Sequence, residues 1–187
     1  PQFTFEVVRT GDGDPAEHVR AVALVPGTGE YALATTPVHY QDAPGVVRSA
    51  NVNSASDECD LVSSLDALTE EAPKCKATSL IVSWFGSDLR CGSCEVRPKV
   101  EQTEADGVGM PWEVSGVARS GANAVPYVDD RPVYGGTPAD ASVVEGIQAL
   151  KAAGQDVMFY PFILMEQLAG NGLVDPWGGE AEQAVLP

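Results

Sequence analysis

The chain has 187 residues, 44% of them hydrophobic and 20% charged, a balance that fits a globular domain with its own core and excludes disorder throughout. Its 19 Gly and 14 Pro exceed the usual combined share of about 12%, so the fold is expected to use short elements joined by many loops. Eleven Lys and Arg against 27 Asp and Glu leave a net charge of −16, which repels phosphates and excludes a nucleic-acid clamp or a binder of anionic lipid.

No apolar run reaches the ~20 residues of a membrane span, and the opening PQFTFEVVRTGDGD does not read as a signal peptide; a soluble protein is predicted. Residues 3–9 alternate Phe and Val with Thr and Glu, the pattern of a strand. Asp14 before Pro15 is an N-cap with proline at the first helical position, predicting a short helix over 15–23. Residues 31–36 are short and apolar, and 41–56 show no periodicity, so they read as irregular.

Leu61, Leu65 and Leu68 recur at helical spacing, and Pro73 follows, predicting an amphipathic helix over 60–71 with a solvated acidic face. Residues 78–86 form a continuous apolar run, as in a strand buried on both faces of a parallel sheet. Residues 112–117 are a weaker strand. Thr137 and Pro138 read as N-cap and first helical position, Val143, Val144, Ile147 and Leu150 keep helical spacing, and Gly154 supplies the stop. Residues 156–165 then read as a second long buried strand. Strand, capped helix, glycine and strand make a βαβ signature, while a closed barrel of eight such units takes ~250 residues. The expected fold class is therefore α/β, with a small, loop-rich α+β segment over 1–56 and, over 57–187, an incomplete (β/α) barrel-like unit that is either a small open domain or the front piece of something larger.

The four cysteines are Cys59, Cys75, Cys91 and Cys94. Only Cys91 and Cys94 form a tight pair, so a structural zinc site requires Cys59 and Cys75 to converge on it. A redox motif at a helix start would need a helix after Cys94, where Arg97 and Pro98 do not read as one. Disulfides among the four, or buried inert thiols, complete the alternatives, and no cofactor is expected beyond a metal at these cysteines.

Several ordered strings carry a resemblance. They are Val25-Pro-Gly-Thr-Gly-Glu-Tyr-Ala-Leu-Ala-Thr-Thr-Pro-Val-His39, Asn51-Val-Asn53, Ser64-Leu-Asp-Ala-Leu68 and Leu80-Ile-Val-Ser-Trp-Phe-Gly86. Asp88-Leu-Arg-Cys-Gly-Ser-Cys94, Arg97-Pro-Lys-Val-Glu101, Tyr134-Gly-Gly-Thr-Pro-Ala-Asp-Ala-Ser142 and Phe159-Tyr-Pro-Phe-Ile-Leu-Met165 continue them. Together they resemble the opening part of the TIM-barrel-like domain of the baseplate "megatron" proteins of gene transfer agents and related siphophages. The resemblance implies a structural protein of the virion tail tip or baseplate, assembled in the bacterial host cytoplasm and bound to hub and distal tail proteins, as a homotrimer around the tail axis. It also implies contact with cell-wall glycan, because the family domain is similar to glycoside hydrolases. The acidic balance would then keep passing DNA from adhering to the axial surface.

Chemistry at single residues is sparse. Glycoside hydrolysis needs two carboxyls ~5–9.5 Å apart, and Asp88 and Glu166, each just past a predicted strand, are the candidate pair for a peptidoglycan hydrolase. The plainer reading makes both solvated loop carboxylates and the chain no enzyme. Gly27, Gly29, Gly135 and Gly136 read as turn glycines rather than a phosphate loop, and His18 and His39 are isolated. Trp84, Phe85, Phe159, Tyr160 and Phe162 could stack on sugars, although their place in apolar strands predicts core packing.

Overall fold

The computed structural model describes residues 14–26, 29–55 and 57–184; the strand expected over 3–9 and the residues Gly27 and Thr28 lie outside them. The elements in chain order are β1 (Ala21–Leu24), β2 (His39–Ala43), β3 (Val46–Ser49), α1 (Asp60–Glu71), β4 (Ala77–Gly86), β5 (Val96–Arg97) and β6 (Lys99–Val100). There follow β7 (Glu113–Val114), β8 (Val117–Ala118), β9 (Asn123–Ala124), β10 (Tyr127–Val128), β11 (Arg131–Pro132), α2 (Asp140–Ala152) and β12 (Asp156–Met165).

The sheet order is β1-β4-β12, all parallel. β12 runs beside β4 over ten residues, from Asp156 opposite Ala77 to Met165 opposite Gly86. α1 connects β1 to β4 and α2 connects β4 to β12, so the observed unit is a βαβαβ with strands in sequential order. Among the described residues the sheet does not close. β5 pairs antiparallel with the last residues of β4; since β12 fills one edge of β4, β5 lies along the other, past the end of β1.

Both helices pack on one face of the sheet. Leu80 and Val82 of β4 meet Leu61 and Leu65 of α1 and Val143 and Leu150 of α2, with Leu33 completing this core. α1 forms as predicted, its Asp60 carboxylate accepting from the Asn53 backbone and side-chain amides at 2.9 and 2.7 Å. α2 starts later than expected, with Ala139 at the N-cap. Thr137 is occupied elsewhere: its N–H donates to Lys99 O at 2.7 Å and its hydroxyl accepts from Lys99 N–H at 3.1 Å. The end of α2 behaves as predicted, Gly154 adopting φ +77° while Gly154 and Gln155 donate to Lys151 and Leu150, a Schellman stop.

Three other expectations are corrected. The helix after Asp14 is a single 3-10 turn, Pro15–His18, because residues 21–24 are taken by β1 against β4. The stretch 41–56 contains the β2–β3 hairpin around Pro44 and Gly45; nearly all its side chains are exposed, so no alternation betrays it. β12 is not buried on both faces. Met158, Phe159, Tyr160, Phe162 and Ile163 are 43–58% exposed, because little of the described chain covers either face of β12, which is also an edge strand with β4 on one side only.

A second core fills the loop-rich half, where Tyr31, Val38, Tyr40, Val100, Met110, Trp112 and Val114 pack together. Trp84 of β4 packs against both cores. Each core draws on residues from both sides of position 56.

Candidate functional site

In α/β sheets the strands' carboxyl ends collect the side chains of a site. Here that end carries Val25 and Pro26 after β1, the loop 87–95 after β4, and Glu166 after β12. The loop 87–95 is pinned at its base, where Ser87 N–H donates to Glu95 O at 3.1 Å and Glu95 N–H to Ser87 Oγ at 3.1 Å.

Asp88 is buried in this loop. Its carboxylate accepts from the Arg90 N–H, Nε and Nη2 at 2.8, 3.0 and 2.7 Å and from Gln183 Nε2 at 2.7 Å. The bonds from Arg90, with that of Gln183, hold its carboxyl well below the usual carboxylate range. Glu166 is paired with Lys99, both side chains being mostly buried. The two sequence candidates thus sit in separate ion pairs. The Asp88 carboxyl, held low, is not poised as a general acid, which needs a carboxyl raised toward neutrality.

Among the described residues no group of three or more His, Cys, Asp or Glu could hold a metal ion. All four cysteines are free thiols. Cys59 precedes α1 and donates to Thr35 O at 3.1 Å, and burial pushes its thiol up. Cys75 lies past the other end of that helix, ~18 Å away for 12 residues. It also precedes β4, whose ten residues put ~33 Å between it and the Cys91–Cys94 turn. In this structure α1 and β4 thus hold Cys59 and Cys75 apart from each other and from the Cys91–Cys94 turn.

The face of the sheet opposite the helices bears a groove of about 240 Å³ lined by Val25, Ile81, Ser83, Tyr134, Phe162 and Leu164, among others. Among the described residues no charged side chain lines it. Tyr134 tilts against Phe85 with ring centroids 6.0 Å apart, and Tyr160 against Phe162 at 6.4 Å. Of the aromatic residues expected in the core, Phe85 is buried, whereas Phe159, Tyr160 and Phe162 are exposed. The groove can hold an apolar or ring-shaped surface.

The densest polar cluster escaped the sequence. Arg119, with its side chain 4% exposed, spans Glu30 (0% exposed) and Asp106. Its Nε donates to Asp106 Oδ1 at 2.9 Å, Nη1 to Gln102 O at 2.8 Å and Nη2 to Tyr31 Oη at 3.1 Å and to Glu30. Tyr40 Oη and Glu101 N–H also donate to Glu30, at 3.1 and 2.6 Å. Burial drives both tyrosines upward, aided at Tyr40 by the Glu30 charge, and Arg119 is held cationic by its carboxylate partners despite burial. Every strong donor and acceptor faces another within the protein, so the cluster is a clamp joining segment 30–40 to segment 101–119.

No protein-family model matches the chain, and a search of curated proteins gives no match.

Proposed function

We propose that the chain is a structural unit of a phage-like tail baseplate of the gene-transfer-agent type, its βαβαβ sheet serving as the opening wall of a barrel-like body that neighbouring protein continues. One observation carries this reading. β12 is ten residues long, almost wholly apolar, exposed on both faces and unpaired along one edge among the described residues. Parallel strands are normally covered on both faces, and an apolar edge of this length is a template for another chain. Gln167, just past β12, is fully buried with neither amide atom partnered among the described residues, a cost the isolated chain carries at the end of this strand. The ordered strings that resemble the megatron opening support the same reading, as do the ion pairs that occupy Asp88 and Glu166.

In this role the partners are hub and distal tail proteins around a homotrimer in the virion, with acidic side chains facing the DNA path. Ile163→Lys places a charge on the exposed edge strand without touching either core. The expected result is unchanged melting of the isolated chain and loss of co-purification with baseplate hub proteins. Equal recovery of hub proteins with the variant refutes the reading.

The aromatic groove favours a second reading, a cell-wall glycan contact or a peptidoglycan glycosidase using Glu166 and Asp88. Zymography on peptidoglycan separates them: clearing that disappears in Glu166→Gln establishes the hydrolase, and no clearing by the parent chain removes it.

A further inference from the structure

The tip of the loop after β4 holds the Cys91 and Cys94 thiols on one turn. Arg90 O accepts from Ser93 N–H and from Cys94 N–H, both at 2.9 Å, which is a single turn of helical backbone. Residues three apart on such a turn share a side, with Cβ atoms ~5–6 Å apart. A disulfide needs Cβ atoms ~3.5–4.5 Å apart, so closure requires only a small tightening of the turn.

The rest of the loop is fixed. Asp88 and Gln183 grip Arg90 and Leu89 on one side, and the Ser87–Glu95 bonds close the base on the other. The two thiols also differ. Cys91 is exposed and Cys94 half-buried, with the Cys94 sulfur close to Gly86. A disulfide-bearing reagent therefore reaches Cys91 first, and Cys94 stands one turn away, held where it can displace it.

We propose that Cys91 and Cys94 form a reversible intraloop redox pair, a thiol–disulfide clip at the carboxyl end of the sheet whose oxidant is a small-molecule disulfide of the glutathione class. The Cys91 thiolate attacks one sulfur of that disulfide; the sulfur–sulfur bond breaks and one small thiol leaves. The Cys94 thiolate then attacks the Cys91 sulfur, forming the Cys91–Cys94 bond and releasing the second small thiol. Two electrons pass from the protein thiols to the small disulfide, and the two thiol protons end on the departing thiols. The clip opens in a reducing compartment and closes in an oxidising one.

The test is a redox titration of the full chain in glutathione buffers, quenched with acid, alkylated and digested with trypsin. Cleavage after Arg90 and Lys99, with the Arg97–Pro98 bond resistant, isolates residues 91–99, which contain Cys91 and Cys94 alone. The expected product under oxidising buffer is this peptide unalkylated and lighter by two hydrogens, while buried Cys59 and Cys75 remain reduced. Cys94→Ser is expected to trap one glutathione on Cys91. The midpoint in concentrated guanidinium is expected to shift against closure, since the folded turn poses the pair. A wild-type peptide carrying two alkyl groups or two glutathiones throughout, or identical midpoints folded and unfolded, overturns the proposal.

Discussion

Removing the Arg119 guanidinium should be among the most damaging single changes available to this chain. Arg119→Met keeps much of the side-chain volume but leaves Glu30, whose side chain is 0% exposed, as a buried carboxylate with only neutral donors. Those are the Tyr40 hydroxyl at 3.1 Å and the Glu101 N–H at 2.6 Å. Stranding one partner of a buried ion pair costs about 3–5 kcal/mol. For a chain of this size each kcal/mol lowers the melting temperature by ~2–4 °C, so a fall of roughly 6–20 °C is expected. The diagnostic is the second variant. Glu30→Gln in the Arg119→Met background removes the stranded charge, so the double variant should be more stable than Arg119→Met alone. Urea and thermal unfolding followed by circular dichroism complete the double-mutant cycle. A loss under about 1 kcal/mol for Arg119→Met, or strictly additive effects of the two changes, refutes the clamp.

Gly136 sits against the same cluster: an added Cβ would lie 2.8 Å from Glu30 Oε1, 2.9 Å from its Cγ and 3.0 Å from Glu101 N. Because Glu30 is tied on both oxygens, Gly136→Ala should cost about 1–3 kcal/mol in a urea titration. Glu101 is raised by burial and by the Glu30 charge, so its ionised form weakens the fold above the ordinary carboxylate value. Glu101→Gln should therefore raise the melting temperature at neutral pH, and the gain should vanish below about pH 4. At Asp106 burial is outweighed by hydrogen bonds from the Trp112 N–H, Arg119, the Gly107 N–H and Tyr31, and the carboxyl is depressed. Its contribution is present above the unfolded value and lost as pH falls through the folded one, so Asp106→Asn should flatten the melting profile below about pH 4.

The sheet-and-helix half was legible because its signals are local. The spacing of Leu61, Leu65 and Leu68 specifies α1, and Gly154 ends α2 where a left-handed residue is required. The exposure of β12 was not legible, since ten apolar residues look alike whether one or both edges are paired. Thr137 and Pro138 imitate a helix start, yet the pairing of Thr137 with Lys99, a contact across 38 residues, outcompetes the cap. The clamp joins Glu30 to Arg119 across 89 residues and the Asp88 cradle joins Gln183 across 95. Among 27 acidic residues, nothing marks the few that meet a cation in the interior.

One short turn ties the halves together. Tyr31 and Ala34 belong to the loop-rich core and Leu33, between them, to the helix–sheet core, while the Trp84 indole touches both. Neighbouring residues therefore anchor in opposite halves with no slack chain between them. The two cores are therefore expected to unfold together, as one cooperative unit rather than two beads on a string.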